Sequence, residues 1–265
     1  MSLTLVATPI GNLEDISARA LQALKECDAI LCEDTRRSSL LLDRFHIDKP
    51  LISYHKFKEK QSLEKIVREL EAGKHFALLS DAGTPCINDP GLILVQACIE
   101  KKIPFTAIPG PCSVIQALLL SGMETERFQF IGFLPKKGNK ELRQAFGYPG
   151  TTVAFESPER LIQTLRSAQK IDPSRSLAVA REMTKKFEEC LRGTAEELLA
   201  HFEAKAPRGE VVLLIAGGSL KGEMPLDELL EMLQTLHGLS LKEAIKMAAK
   251  LTGQPKSALY KQVHL

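Results

Sequence analysis

Two short segments of the chain gather acids and cations. Glu33-Asp34-Thr35-Arg36-Arg37 sets an acid pair beside two arginines, and Arg181-Glu182-Met183-Thr184-Lys185-Lys186 repeats the mixture. A carboxylate within hydrogen-bond reach of a hydroxyl can take its proton. Clustered, flexible cations suit phosphate, and Pro135-Lys136-Lys137-Gly138-Asn139-Lys140, with Arg143 a turn later, offers more of them, although a solvated loop also explains that run. Asp81, ahead of Ala82-Gly83-Thr84-Pro85, is placed to accept from a ligand amine or hydroxyl or to face a cation. Asp89, before Pro90-Gly91, and Ser113, after Pro109-Gly110-Pro111-Cys112, have simpler readings as helix N-caps that leave ligand contact open.

Several enzyme classes drop out. The chain has no G-x-x-x-x-G-K-[ST], G-x-G-x-x-G, G-x-S-x-G or H-E-x-x-H. Its six histidines are scattered singly, which gives a metal site no support.

The elements that must position these residues alternate in type. β-rich runs at 3–7, 29–33, 76–80, 105–109, 128–134, 152–157, 177–182 and 210–216 are separated by helical patterns, which predicts an α/β fold with mainly parallel strands. Leu63, Ile66, Val67 and Leu70 have the spacing of a helix burying one face, and Gly73 stands where its C-cap belongs. The loops TPIGNLED (8–15), SDAGTPCINDPG (80–91) and PGPCS (109–113) each follow a predicted strand and are rich in Gly, Pro and small polar residues. Backbone can approach a ligand closely there, and ligands of open α/β sheets bind beyond the carboxyl ends of strands. One shared site is the economical expectation.

Composition narrows the setting. With 265 residues, 44% hydrophobic, the chain can fill one large core or two smaller ones. Its 35 Lys and Arg against 33 Asp and Glu produce no global positive field, so any nucleic-acid surface must be local. The N-terminus lacks the pattern of a signal peptide, and no apolar run approaches the ~20 residues of a membrane span. A soluble, cytoplasmic protein is expected, with its six cysteines as reduced structural thiols, since none form a C-x-x-C pair. Beyond IAGG (215–218), residues 219–225 read as a linker to a small helical appendage. Leu241, Ala244, Ile245 and Ala248 form a predicted buried stripe there, and from residue 240 onward five lysines accompany one acid, Glu243. Breaks at Gly253 and Pro255 suggest a helix-turn-helix-like module. It is either a packed cap or a surface that touches RNA.

In order along the chain, VATPIGNLEDIS (6–17), CEDTRRS (32–38), LLSDAGTPCINDPG (78–91), IPGPCS (108–113), GFLPKKG (132–138), FESPERL (155–161), AREMTK (180–185) and RGEVVLLIAG (208–217) resemble the bacterial small-subunit ribosomal RNA cytidine 2′-O-methyltransferases, a branch of the tetrapyrrole methylase-like proteins. The resemblance implies two α/β domains, 1–121 and 122–218, with S-adenosylmethionine in the cleft between them, plus the helical appendage at 225–265. It implies a homodimer acting on small-subunit ribosomal RNA, in the assembled subunit, without a metal or a membrane. It places Pro9, Ile10, Gly11, Asp81, Ala82, Gly83, Thr84, Ser113, Val114, Phe155, Ala180, Glu210 and Val211 at the cofactor. One departure weakens a catalytic role for the loop after Ser53-Tyr54: where the family tends to carry an acid, a His and an Asn after His55, this chain has Lys56-Phe57-Lys58. Substrate contacts are expected from Arg37, His55, Lys136, Lys137 and Arg181. Glu33, Asp34, Glu182 and Lys185 are the candidates for the base, with Arg36 and Arg181 placed to grip phosphates. Two other readings are a tetrapyrrole C-methyltransferase and an RNA or ribosome-assembly binding module without turnover.

Overall fold

In the computed structural model, residues 2–55, 59–136, 139–218, 226–252 and 254–263 are described. The chain divides into two compact units. Met1–Gly122 is joined by Val179–Cys190 and Gly209–Val212, and Met123–Ala178 by Leu191–Arg208 and Leu213–Leu265.

The first segment runs β1 (Leu3–Val6), α1 (Ala18–Glu26), β2 (Ala29–Cys32), α2 (Thr35–Arg44), β3 (Leu51–Ser53), α3 (Glu59–Glu71), β4 (Phe76–Leu79), α4 (Leu92–Glu100), β5 (Phe105–Ile108) and α5 (Ser113–Ser121). Its strands form one parallel sheet in the order β3-β2-β4-β1-β5. Helices cover both faces, so β1, β2 and β4 are buried at every position, as the unbroken apolar runs require. Ala20 and Leu24 of α1 pack with Leu42 of α2 against Val6, Ile30 and Leu79. Ile66 and Leu70 of α3 pack with Leu94 and Cys98 of α4 against Leu5, Leu31 and Leu78. From the adjacent strands β1 and β4 the chain leaves in opposite directions, to β2 through α1 and to β5 through α4. Such a reversal opens a crevice at the carboxyl edge.

The chain continues through β6 (Phe128–Phe133), α6 (Asn139–Gly147), β7 (Thr151–Glu156), α7 (Pro158–Ile171), β8 (Leu177–Arg181), β9 (Glu189–Gly193), α8 (Ala195–Ala204) and β10 (Val211–Ile215). The second sheet has the order β6-β7-β10-β8-β9. Within the second unit, the buried Arg175 lies 3.2 Å from Asp172 and donates to the carbonyls of Phe146 and Ala216, both at 3.0 Å. Arg175→Met leaves a buried carboxylate without its cation, and a loss of roughly 3–5 kcal/mol is expected. Thermal melting reads it; an unchanged midpoint contradicts this role.

Helices α9 (Leu226–His237), α10 (Leu241–Thr252) and α11 (Lys256–Val263) pack around Leu229, Leu233, Ile245, Ala248 and Leu259. The predicted stripe on α10 needs one correction. Leu241 is 39% exposed, and Ala249 takes its place in the core, because the buried positions Ala244, Ile245, Ala248 and Ala249 follow the helical period one turn later. The opposite face carries Lys242, Lys246 and Lys250, all exposed. The expected linker at 219–225 lies outside the described residues.

Candidate active site

Three loops at the carboxyl edge of the first sheet are stitched together by their backbones. Thr8 and Gly83 exchange hydrogen bonds, Thr8 N–H to Gly83 O at 2.9 Å and Gly83 N–H to Thr8 O at 3.0 Å. The Thr8 hydroxyl donates to Ser80 O (3.2 Å), and the Thr84 hydroxyl to Pro111 O (3.0 Å). Glycine is needed where these loops meet. Gly83 has φ +80°, and a Cβ on Gly110 would stand 2.9 Å from the Ala7 Cβ. Pro9 and Ile10 are buried here, Asp81, Ala82, Thr84 and Ser113 are half-buried, and Val114 is buried. Ser113 is the first residue of α5 and Cys112 occupies the cap position, so the capping reading of Ser113 is corrected.

The same edge gathers carboxyl groups. Asp34 caps α2 by accepting from the Arg36 N–H (2.9 Å), and its two oxygens also take Nε (3.1 Å) and Nη2 (2.8 Å) of Arg36. The Asp34 N–H in turn donates to Asp81 (3.0 Å), and Arg37 lies 3.6 Å from that carboxylate. The Arg36 hydrogen bonds hold the Asp34 carboxyl down at about 2, so it is a weak base and a structural anion. Glu33 is the reverse: burial, then the neighbouring Asp81 charge, push its carboxyl up against the opposing pull of His55 and Arg37.

Asp89 was expected to cap the helix that starts near Gly91. It does not. The N–H of Gly91 donates instead to the buried carboxylate of Glu59 (2.7 Å). Asp89 faces Ser80, and burial followed by the Glu33 and Asp81 charges raises its carboxyl to about 6. The turn that presents it places Cys86 and Asn88 at φ 69° and 65°, strained for side chains other than glycine. Nothing in the sequence separated this role from capping, because Glu59 is distant along the chain and carries no motif.

The 181–186 cluster belongs to the first unit and packs on the first loop. A Cβ on Gly11 would meet Lys185 Cγ at 2.5 Å, Thr184 Oγ1 at 2.8 Å and Met183 O at 2.9 Å. Lys185 Nζ bridges Glu182 (3.0 Å) and Glu210 (3.1 Å). Burial acts to raise the Glu182 carboxyl, but Lys185 and the Glu210 N–H outweigh it and leave it lowered. Lys185 is raised: desolvation works against its charge, and the two carboxylates prevail. An ammonium locked in this way is a poor proton acceptor, and the structure takes Lys185 away from the role of base. Arg181 needs the same correction. Its side chain is buried and Nε is bound to Glu189 at 2.5 Å, which removes it from solvent-borne phosphates.

The remaining expected residues are more dispersed. Ala180 and Val211 are buried within β8 and β10, and Glu210 is exposed. Phe155, in the second unit, packs edge-on against Phe130 (4.9 Å) and Phe133 (5.3 Å). His55 is half-buried beyond β3, Lys136 is exposed, and Lys137 lies outside the described residues, as do Lys56, Phe57 and Lys58. No described helix is long and apolar enough to cross a membrane, and no group of three metal-ligating side chains occurs among the described residues.

Residues 2–199 match the family model described as Tetrapyrrole (Corrin/Porphyrin) Methylases, and residues 223–264 match one described as RsmI C-terminal HTH domain. The chain is 44% identical over 217 residues to the Ribosomal RNA small subunit methyltransferase I of Thermotoga maritima, covering 81% of this chain and 98% of that one. The protein of the same name from Escherichia coli O157:H7 is 41% identical over 266 residues, 98% of this chain and 93% of the relative. The fold is that of a uroporphyrin-III C-methyl transferase from Thermus thermophilus complexed with S-adenyl homocysteine (TM-score 0.58, 20% identity, 82% of this chain and 97% of that one). A diphthine synthase has a TM-score of 0.62 at 17% identity, over 82% of this chain and 90% of that one.

Proposed function

The chain belongs to the ribosomal RNA small subunit methyltransferase I family, within the tetrapyrrole methylases, and from that premise we propose that it methylates the 2′-hydroxyl of a cytidine ribose in the decoding region of small-subunit ribosomal RNA, using S-adenosylmethionine. The observation that carries this reading within the chain is the three-loop edge, with a carboxyl cluster beside loops that glycine lets meet. Residues 1–121 and 122–218 then form the two α/β domains, the helical module at 225–265 follows, and a cytoplasmic homodimer acting on the assembled subunit is the working form.

The residues present fit the cofactor. Gly83 takes a left-handed φ of +80° and a Cβ on Gly110 would crowd Ala7, so glycine lets the loops close together at the edge where the cofactor would lie. Asp81, still 22% exposed, faces the same edge with a negative charge suited to a cationic group. Pro9, Ile10, Gly11, Asp81 to Thr84, Ser113 and Val114 would hold it, with Phe155, Ala180, Glu210 and Val211 contributing further contacts. When bound, it supplies a methyl group activated by a positively charged sulfur. The protein must orient the ribose hydroxyl and remove its proton, and positioning alone can supply about 7–11 kcal/mol.

Glu33 accepts that proton in this account. Among the earlier candidates Asp34 is held low by Arg36, Glu182 is neutralised by Lys185, and Lys185 is itself locked as a cation. Glu33 is the one whose surroundings, burial first and then the Asp81 charge, raise its affinity for a proton. Arg36 and Arg37, exposed on α2, are the cations free of the interior for the RNA backbone.

The base works ionised, so the rate rises with pH while Glu33 sheds its proton and levels off above. The acid limb is expected above the ordinary range of a free glutamate, because burial and the Asp81 charge hold the Glu33 carboxyl up. Asp81→Asn removes the neighbouring negative charge that raises Glu33, lowers its proton affinity, and is expected to move the limb to lower pH. A limb that stays in place separates the Asp81 charge from the proton transfer.

Transfer of a labelled methyl group from S-adenosylmethionine tests the reading as a whole. Label in the small subunit's RNA is expected. Label entering uroporphyrinogen III instead, or no label in RNA despite cofactor binding, overturns it.

A further inference from the structure

The second unit contains a groove of about 530 Å³ between β6, α6 and α9, none of whose lining residues is placed above in the transfer chemistry, although Phe133 of the lining packs on Phe155. We propose that this groove holds one unpaired nucleotide of the RNA substrate, its base against the rings of the lining and its phosphate toward Arg127.

The volume falls in the range of roughly 300–1,000 Å³ typical of small-ligand sites, and the chemistry of the walls is mixed in the way a nucleobase needs. Phe133 and Tyr148 supply aromatic surface, and Leu236 of α9 adds an apolar wall. Phe133 and Leu236 are 58% and 57% exposed, an apolar cost that a bound base would remove. Gln144 and Glu141 offer amide and carboxylate groups that can pair with base edges, and Arg127 brings a cation to the lining. Stacking on such rings is tolerant of base identity, while edge groups confer choice among bases.

Charge and edge geometry decide the class of occupant. Arg127, the cation of the lining, is exposed. Lys140 is paired with Glu231 of α9, an ion pair that joins the two helical walls. Arg127 beside an aromatic floor suits an anion that carries a planar base. A peptide adding as a strand would need the free edge of β6 to be regular, and it is not. The β6–β7 register shifts between Phe130 and Phe133, with Gly132 at φ +69°, and a bulge of this kind twists an edge away from strand addition.

This inference rests on the RNA-substrate reading but can fail apart from it. The test is the affinity of the full chain for a fluorescein-labelled single-stranded oligocytidylate, measured by anisotropy, with S-adenosylmethionine affinity measured alongside. Tyr148→Ala removes a ring and Leu236→Trp fills the groove from an exposed position. Both are expected to weaken RNA binding roughly tenfold, the scale of one base–aromatic stack, with cofactor affinity unchanged. Parental RNA affinity in either variant overturns the proposal, even if methyl transfer to ribosomal RNA is intact. Retained RNA affinity with loss of self-association in Leu236→Trp would assign the groove to a contact between copies of the chain.

Discussion

Glu33→Gln is expected to slow methyl transfer by about 10²- to 10⁴-fold, the range supplied by a positioned general base, with S-adenosylmethionine affinity preserved. The substitution keeps the volume of the side chain and removes its capacity to take a proton. Its position supports a catalytic effect over a structural one: Glu33 follows β2, half-buried, at the edge where Asp81 and Asp89 converge. Single-turnover rates on small ribosomal subunits at pH 8 read the effect directly. A rate within about threefold of the parent removes Glu33 from the proton transfer and leaves the ribose hydroxyl to another acceptor.

The second large effect is steric. Gly11→Ala places a methyl group into space already filled by Lys185 Cγ, Thr184 Oγ1 and Met183 O. The turn cannot yield cheaply, because Glu182 and Thr184 already sit at φ 48° and 64° and Lys185 is tied to two carboxylates. Loop 8–15 must therefore move, and a displacement of about 1 Å in a positioning loop can cost about 10²-fold in rate. The expected signature is cofactor affinity weakened at least about tenfold, by calorimetry, with the far-ultraviolet circular dichroism of the parent. Unchanged affinity would show that the loop is not part of the cofactor site.

Much of this was legible in the sequence because parallel strands buried on both faces leave plain apolar runs. Both elements that left no such run were missed: β3 spans only Leu51–Ser53, and β9, ECLRG, is polar and half-buried. The three site loops were readable from their glycines and prolines, since the conformations they adopt exclude most other residues. Pairings over long sequence distances were not. Glu59 supplies the carboxylate that Asp89 was expected to supply to the start of α4, and Glu189 neutralises the arginine expected to hold phosphate. The identity of an acid shows that it can take a proton or cap a helix; only its neighbours decide which. The same holds for the groove in the second unit, whose lining is drawn from β6, α6 and α9 and forms no motif in any one segment.

The most direct test of the central claim exploits the chemistry of the product. A ribose whose 2′-oxygen carries a methyl group cannot attack its own phosphodiester, so the linkage survives alkali. Small subunits lacking the modification, incubated with the enzyme and S-adenosylmethionine, are digested with alkali and the surviving linkages mapped. An alkali-resistant linkage at one decoding-region cytidine, absent without enzyme, is the predicted result. Methyl label recovered on a base, or an RNA that remains fully alkali-labile while the cofactor is bound, would contradict it.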